Sequence, residues 1–385
     1  MTSILVPIVF ALMGWATLGQ SQAPLFSPAP GSPVNVGPGS GNVLLADMNG
    51  DGRLDLVTGH LQTKIVTIQL GDGTGRFTPA PGSPIALTYM PGDIQLGDVN
   101  GDKILDLCVT ISDRDTVDIF LGNGKGGLSR APGSPFTVSA SEEFYTRSIL
   151  LLDINEDGKL DIVTANGRKN TFATLIGNGR GGFSPGQTTR LDLDPGQDRI
   201  VLDCGDVDGD GHLDVVAVSG TGAELGPGLV VVQRGDGKGA FRNASGPAVS
   251  VPPGAFCLAM ADMNGDQRLD VVISHGSNDV SVLLNNGKGV LAPAPGSPYH
   301  LATEGWELAV GDVNRDGKND VVVATVESVT VLLGNGRGFT PAPGSPFRAG
   351  PGSFHLAVGD VNGDGKLDVA AASFGGNAVT VLLGR

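Results

Sequence analysis

The fold is decided by a nine-residue acidic stretch, Asp47-Met48-Asn49-Gly50-Asp51-Gly52-Arg53-Leu54-Asp55. Side chains that carry oxygen stand at its positions 1, 3, 5 and 9, and glycine stands at position 6. The pattern returns six more times, and the first residues of these copies are Asp98, Asp153, Asp206, Asp262, Asp312 and Asp360. Copies that recur about every 50 residues without a gap are typical of chains built from one repeated structural unit.

Each repeat also carries four short stretches with the composition of β-strands. In the sixth repeat an apolar run, Leu308–Val310, precedes the acidic loop, and Val321–Ala324 follows it. A third run is Val329–Leu333, and the fourth stretch, Phe339–Pro346, follows a glycine-rich turn. Four strands in about 50 residues are the content of one propeller blade. The sequence therefore predicts an all-β, seven-bladed β-propeller with four-stranded antiparallel blades.

The two ends of the repeat region complement each other. The last repeat stops at Arg385 after its third strand, and Phe26–Pro33 has the sequence of the missing fourth strand. We therefore expect the N-terminal strand to complete the last blade and close the ring, within one domain spanning residues 24–385. The prolines of the fourth stretches predict outermost strands, because proline donates no hydrogen bond to a neighbouring strand.

Residues 1–23 are predicted to be a signal peptide. Ile4–Leu18 is a nearly continuous apolar run, too short to span a bilayer comfortably, and small residues follow it. No Lys or Arg precedes this run, so a retained signal anchor is the alternative. Cleavage would give a secreted protein without a membrane span, located outside the cell or at the cell surface, with the periplasm as the alternative.

The acidic loops have the donor chemistry of a calcium site. Side-chain oxygens at positions 1, 3, 5 and 9, with the backbone carbonyl of position 7, form a compact set of hard ligands of the kind that Ca²⁺ prefers. The alternative, a turn merely rich in Asp and Asn, leaves several carboxylates repelling one another without a cation. We expect up to seven structural Ca²⁺ ions, with weaker binding where position 6 is Lys103 or Gln267, because glycine takes a positive φ there more easily.

The predicted calcium ligands follow the same five positions in every loop. They are Asp47, Asn49, Asp51, Arg53 and Asp55; Asp98, Asn100, Asp102, Ile104 and Asp106; Asp153, Asn155, Asp157, Lys159 and Asp161; Asp206, Asp208, Asp210, His212 and Asp214; Asp262, Asn264, Asp266, Arg268 and Asp270; Asp312, Asn314, Asp316, Lys318 and Asp320; and Asp360, Asn362, Asp364, Lys366 and Asp368.

The repeat resembles the FG-GAP/VCBS repeats, and seven of them resemble the propeller of integrin α subunits. The resemblance covers nearly all of residues 24–385 and implies one calcium ion per blade. It also implies ligand recognition on the face opposite the calcium loops. The candidates on that face are Tyr89, Tyr145, Arg147, Trp306 and His275. For Trp306 the alternative is packing between neighbouring blades, together with Phe256 and Phe354, which occupy the same place in their repeats.

Composition and charge argue against several classes of function. The formal net charge is −15 and no basic stripe is present, so nucleic acid is not an expected partner. The three cysteines occupy different places in the repeat, and neither zinc spacing nor a catalytic motif is found. We expect a monomeric, non-catalytic binding or adhesion module whose partner is a glycan or an extracellular protein. The alternatives are a polysaccharide lyase or hydrolase on the same scaffold, and a purely structural surface protein.

Overall fold

The computed structural model describes residues 23–111, 114–138, 146–193, 199–220, 226–244 and 246–385, without the side chains of Thr146, Arg147 and Arg168. Residues 1–22 of the predicted signal peptide lie outside this part of the chain. The described residues include a 3₁₀ helix at Gly167–Lys169 and otherwise form strands, turns and loops. No helix within these ranges has the length and apolar character needed to cross a membrane.

The strands are short and evenly spaced along the chain. In chain order they are β1 (Phe26–Pro28), β2 (Val34–Asn35), β3 (Ser40–Ala46), β4 (Asp55–His60), β5 (Ile65–Gly71), β6 (Phe77–Pro79), β7 (Ile85–Ala86), β8 (Pro91–Gly97), β9 (Asp106–Ile111), β10 (Thr116–Gly122), β11 (Leu128–Arg130), β12 (Phe136–Thr137), β13 (Thr146–Leu152), β14 (Asp161–Asn166), β15 (Thr171–Gly177), β16 (Phe183–Arg190), β17 (Arg199–Gly205), β18 (Asp214–Gly220), β19 (Gly228–Gly235), β20 (Phe241–Asn243), β21 (Val249–Val251), β22 (Ala255–Ala261), β23 (Asp270–His275), β24 (Asp279–Asn285), β25 (Leu291–Pro293), β26 (Tyr299–His300), β27 (Gly305–Gly311), β28 (Asp320–Thr325), β29 (Ser328–Gly334), β30 (Phe339–Pro341), β31 (Phe347–Arg348), β32 (Ser353–Gly359), β33 (Asp368–Ser373) and β34 (Ala378–Gly384).

These strands form seven antiparallel sheets, the blades of a propeller. Blades 1 to 7 begin with the inner strands β3, β8, β13, β17, β22, β27 and β32. Each inner strand contacts the inner strand of the next blade, and β32 contacts β3, so the ring is closed. The chain passes outward through each blade, and the acidic loop joins its first strand to its second. The predicted seven-bladed, all-β propeller is confirmed.

The second strand of each blade is buried over its whole length, as in β4, β9 and β28. Both faces of a blade pack against neighbouring blades, so every residue of these strands is buried, without the alternation of a half-exposed strand. Seven apolar clusters fill the spaces between successive blades. The hydrophobic core is therefore divided into seven wedges around the axis, one between each pair of neighbouring blades.

The N-terminal strand completes the last blade, as predicted. Strand β1 pairs antiparallel with β34, and Phe26 lies opposite Gly384. Strand β2 pairs with the other end of β34, where Val34 lies opposite Val379. Blade 7 therefore combines strands from both ends of the described chain.

The proline-rich fourth stretch does not form one outer strand, which corrects the prediction from the sequence. In blade 6 this stretch contains the two short strands β30 and β31, and the Ala-Pro-Gly-Ser-Pro segment 342–346 is a turn between them. Both short strands pair with β29. The Ser345 hydroxyl accepts a hydrogen bond from the Val331 N–H of β29 at 2.9 Å, so a side chain replaces the missing strand partner. The corresponding serines accept the same bond in four other blades, and they are Ser32, Ser83, Ser134 and Ser297.

Candidate functional site

Each acidic loop folds around the carboxylate of its first residue. In the first loop Asp47 Oδ1 accepts hydrogen bonds from the N–H groups of Gly50 at 2.7 Å and Asp51 at 3.1 Å. Asp47 Oδ2 accepts from the Gly52 N–H at 2.7 Å. The bond from position 6 to the position-1 carboxylate is present in all seven loops, at 2.7–3.0 Å. The side chains at positions 3 and 5 likewise accept backbone N–H groups two residues further on, which fixes their orientation.

Two positions of the loop need left-handed backbone. At position 6 the φ of Lys103 is 67° and that of Gln267 is 69°, so both adopt the conformation that glycine takes at less cost. Position 4 is left-handed as well, including Glu156 at φ 59° and Arg315 at φ 62°. The sequence analysis missed this second requirement, although glycine fills position 4 in the other five loops.

The ninth residue of each loop anchors it to the blade. Asp55 is fully buried, its Oδ2 accepts from the Met48 N–H and its Oδ1 from the Gly71 N–H, both at 2.8 Å. The same pair of bonds holds the ninth residue in the other six loops. Burial raises the pKa of Asp368 to about 6, and the carboxylates of Asp364 and Asp360 also raise it, against the two N–H donors. The ninth residue of each loop therefore has a structural role, and its role as a calcium ligand stays a prediction.

The donor set of the loops suits a hard divalent cation. In the fourth loop carboxylate oxygens of Asp206, Asp208 and Asp210 all lie within 4.8 Å of one another. The other loops carry Asn at position 3, which contributes an amide oxygen instead of a carboxylate. An Arg234 nitrogen lies 3.1 Å from Asp208 Oδ2 and offsets part of this charge. Clustered carboxylate and amide oxygens without thiolate ligands fit Ca²⁺.

A two-part groove lies between blades 5 and 6, and we call it groove 5/6. One part is a cavity of about 360 Å³ with an apolar wall that includes Val282, Tyr299 and Phe339. The rings of Tyr299 and Phe339 meet edge to face, with centroids 4.8 Å apart. The other part, of about 490 Å³, lies between the acidic loops of the two blades and is lined by polar side chains including Asn335. Arg337 lines both parts and is exposed, so apolar and polar surfaces meet at one guanidinium group.

A second cavity lies on the axis at the face opposite the acidic loops, and we call it the axial mouth. It has a volume of about 370 Å³. The third residues of the seven inner strands surround the axis there, and they are Asn42, Asp93, Ser148, Val201, Cys257, Glu307 and His355. One wall is aromatic. Trp306 stacks on Phe256, with ring centroids 4.2 Å apart, and lies 4.4 Å from the Phe354 ring. These ring contacts join blades 5, 6 and 7, as expected from the packing alternative, and a role of Trp306 in ligand recognition stays a prediction.

Two other residues predicted for the ligand face, Tyr89 and His275, lie in the described part of the chain. The Tyr89 ring lies under the Arg114 guanidinium, 4.2 Å from its centroid. Tyr145 and the side chain of Arg147 lie outside the described part of the chain. His275 was wrong as a surface residue, because it ends β23 fully buried, with Nε2 at 2.9 Å from the Ser281 hydroxyl. Burial lowers the pKa of His275 to about 4, so the ring is neutral and holds two strands together.

The sequence analysis missed a set of carboxylates that bridge successive blades near the axis. Asp93 of blade 2 accepts from the Ile149 N–H of blade 3 at 3.2 Å. Asp203 of blade 4 accepts from the Met260 N–H of blade 5 at 3.0 Å. In the same way Glu307 of blade 6 accepts from the Leu356 N–H of blade 7. The three bonds therefore link blade 2 to 3, blade 4 to 5 and blade 6 to 7. Burial raises the pKa of Asp93, and also that of Asp203, to about 6.

Solved structures with the same architecture are known. Two crystal structures of BBS1N in complex with ARL6DN, soaked with mercury and with lead, match with TM-scores of 0.64 and 0.62 at 12% and 13% identity. Each alignment covers 94% of this chain and 97% of that chain, and at this identity the likeness concerns the fold alone. A lectin of Agrocybe aegerita that specifically recognises non-reducing terminal N-acetylglucosamine matches with a TM-score of 0.54 at 25% identity. That alignment covers 86% of this chain and 88% of the lectin.

Sequence comparison identifies the repeat itself. No curated protein sequence matches the chain. The family model of the FG-GAP-like repeat matches residues 47–109, 98–164, 153–217, 206–273, 262–323 and 312–371. Each match contains two consecutive acidic loops, so the six matches together contain all seven loops. With a closed ring of seven blades and continuous matches from residue 47 to residue 371, the chain belongs to the FG-GAP-like repeat family.

Proposed function

We propose that this chain is a secreted, calcium-binding, non-catalytic module that binds a glycan in groove 5/6. The observation that carries the proposal is the 25% identity, over 86% of the chain, to a propeller that recognises terminal N-acetylglucosamine. Secretion is supported by the apolar run and the small residues that follow it within residues 1–23.

The chemistry of groove 5/6 suits an N-acetylated sugar. The apolar part, with Tyr299 and Phe339, offers an aromatic corner for a methyl group or for the C–H face of a pyranose ring. The polar part offers the amide of Asn335 and the guanidinium of Arg337 to hydroxyl and carbonyl oxygens. Small-molecule sites commonly combine an apolar wall with a few polar groups that fix orientation.

Calcium supports this binding indirectly. Asp262 and Asn264 of the fifth acidic loop and Asp312 of the sixth line the polar part of the groove, and all three are predicted calcium ligands. A bound ion in each loop neutralises the carboxylates and holds the wall of the groove in one conformation. Removal of calcium should therefore weaken glycan binding through the loops without any direct contact between ion and sugar.

The test is isothermal titration of the calcium-loaded full chain with an oligosaccharide that ends in N-acetylglucosamine. We expect saturable binding that is lost with a chelator and weakened at least tenfold by Arg337→Ala. The matched control is Arg180→Ala, because Arg180 occupies the same exposed place in the corresponding turn of blade 3. Absence of binding to this sugar and to a broad glycan array, by protein shown to be folded, would overturn the proposal. Equal losses from both arginine variants would also overturn the assignment to groove 5/6.

A further inference from the structure

Blade 6 differs from blades 1 to 5 in the length of its glycine-rich turn. The turn between β29 and β30 has the four residues 335–338, whereas the turn between β24 and β25 in blade 5 has the five residues 286–290. In blades 2 to 5 the fourth residue of the turn donates its N–H to the carbonyl oxygen of position 2 in the acidic loop of the preceding blade, at 2.9–3.1 Å. The donors are Gly126, Gly181, Gly239 and Gly289.

The short turn leaves groove 5/6 without this bond. Met263 is the residue at position 2 of the acidic loop of blade 5, and within residues 246–385 no turn N–H of blade 6 donates to its carbonyl oxygen. Met263 lines both the apolar and the polar part of the groove. The bond that ties turn to loop between four other pairs of blades is therefore missing from the wall of groove 5/6.

Blade 6 also differs at position 8 of its acidic loop, where Asn319 replaces the leucine of the other six loops. Five of these leucines pack against the apolar cluster between their own blade and the preceding blade. They are Leu54, Leu105, Leu160, Leu269 and Leu367. Asn319 instead lines the polar part of groove 5/6, and its Nδ2 donates to the Asp262 carbonyl oxygen at 2.8 Å. An amide therefore stands where other blades make an apolar contact.

Hydrogen bonds to the backbone orient two amides of the polar part in opposite ways. The Asp262 carbonyl oxygen can only accept, so it takes the nitrogen of Asn319 and leaves Asn319 Oδ1 as an acceptor. Asn335 Oδ1 accepts from the Arg337 N–H at 2.9 Å, which leaves Asn335 Nδ2 as a donor. Among the described residues neither of these two remaining groups has a hydrogen-bond partner. One acceptor and one donor are the complement of the N–H and C=O of a secondary amide.

The apolar part of the groove adds room for a methyl group. Its wall includes Val282 and the edge-to-face rings of Tyr299 and Phe339. A secondary amide that carries a methyl group is an acetamido group, whereas a hydroxyl at the same place on a sugar lacks both the carbonyl and the methyl. A site built to hydrogen-bond one group discriminates against an analogue without it, because the polar groups of the site are then left unpaired.

We propose that groove 5/6 is a single acetamido-binding site, in which Asn319 Oδ1 accepts from the acetamido N–H of a terminal sugar. Asn335 Nδ2 donates to the acetamido carbonyl oxygen, and the aromatic corner contacts the methyl group. This assignment depends on the proposed glycan-binding function and names the chemical group that the groove recognises. One ligand binds per chain, because blade 6 alone has asparagine at position 8 and combines it with the short turn.

The experiment uses the calcium-loaded full chain and two oligosaccharides that differ only in the terminal residue, N-acetylglucosamine or glucose. Isothermal titration should give one site per chain and an affinity at least tenfold higher for the N-acetylglucosamine probe. Asn319→Leu introduces the residue of the other six loops, so the fold and the number of calcium ions bound should be retained. This variant should bind the N-acetylglucosamine probe no more tightly than the glucose probe.

Variants of the glycine-rich turn test the second amide and the opening of the groove. Asn335→Ala should weaken binding of the N-acetylglucosamine probe at least tenfold. Asn178→Ala is the matched control, because Asn178 accepts the same backbone bond from the Arg180 N–H in blade 3, and it should change the affinity less than twofold. A glycine inserted between Arg337 and Gly338 should restore the bond to the Met263 carbonyl oxygen and also weaken binding at least tenfold.

The outcomes separate this assignment from the proposed function. Equal affinity for the two probes, or an unchanged preference in Asn319→Leu, would overturn the acetamido assignment; binding that Arg337→Ala still abolishes would leave the glycan groove standing. More than one site per chain, or full affinity after the glycine insertion, would overturn the role of the short turn. Absence of binding to either probe would overturn both proposals.

Discussion

The closure of the ring predicts a specific cost for Phe26→Ala. Phe26 is 3% exposed, and its ring meets that of Phe347 edge to face with centroids 5.3 Å apart. Replacing a buried Phe by Ala typically costs about 3–5 kcal/mol in free energy of unfolding. Domains are commonly stable by about 5–15 kcal/mol, so the variant should fold but unfold at much lower denaturant concentration. Guanidinium denaturation with calcium in constant excess measures the difference.

The matched control is Phe241→Ala in blade 4. Phe241 is 6% exposed and meets Phe172 edge to face, also with centroids 5.3 Å apart, so the local loss of packing should be the same. Strand β20 is continuous with its own blade, whereas β1 joins blade 7 from the other end of the chain. We therefore expect limited proteolysis under native conditions to cut near β1 in Phe26→Ala only. A Phe26→Ala variant within about 0.5 kcal/mol of the unmodified chain would refute the docking of β1.

Three further predictions concern the loops, the turns and the axis. Asp360→Ala should lower the number of calcium ions bound per chain by one, measured by competition with a chromophoric chelator. The control Asp72→Ala, outside the acidic loops, should leave that number unchanged. An unchanged number for Asp360→Ala contradicts the ligand assignment. Ser345→Ala should lower the free energy of unfolding by about 1–3 kcal/mol, because the buried Val331 N–H loses its acceptor, and denaturant titration that shows no loss would exclude this role. Burial raises the pKa of Asp203 from 3.8 to about 6, so the folded state binds this proton more tightly than the unfolded state, and stability falls as pH rises from about 4 to about 6. Asp203→Asn should flatten stability between about pH 4 and pH 6, and an unflattened profile would count against the raised pKa.

The architecture could be predicted from the sequence because its signals repeat in register. Seven copies of one acidic motif fix the number of blades, and the N-terminal copy of the fourth stretch fixes how the ring closes. Both conclusions rest on spacing, which a single sequence reports directly. The acidic loops could be located for the same reason, and the glycine at position 4 of five loops was a signal for the left-handed φ that Glu156 also adopts.

The remaining features depend on which way a side chain faces. The serine of the Ala-Pro-Gly-Ser-Pro turn replaces a strand partner, and its hydroxyl gives no periodic signal that distinguishes this from an exposed turn. Asp93 and Asp203 stand within apolar inner strands, and only the packing of blades determines that they bridge to the next blade. The buried strand β23 extends one residue beyond its apolar run and includes His275. A polar residue after an apolar run gives no sign of this, so His275 was predicted for the surface.

The inner strand of each blade is an edge strand, and the seven inner strands surround one axis. The backbone N–H and C=O groups on such an edge can pair with an extended peptide. The carboxylates of Asp93, Asp203 and Glu307 occupy this backbone from within, each taking an N–H group of the following blade. Addition of a foreign strand at these three interfaces would have to displace a charged acceptor from a buried donor. At these three interfaces the inner edge of the ring is therefore protected against β-augmentation, and with it against one route to aggregation.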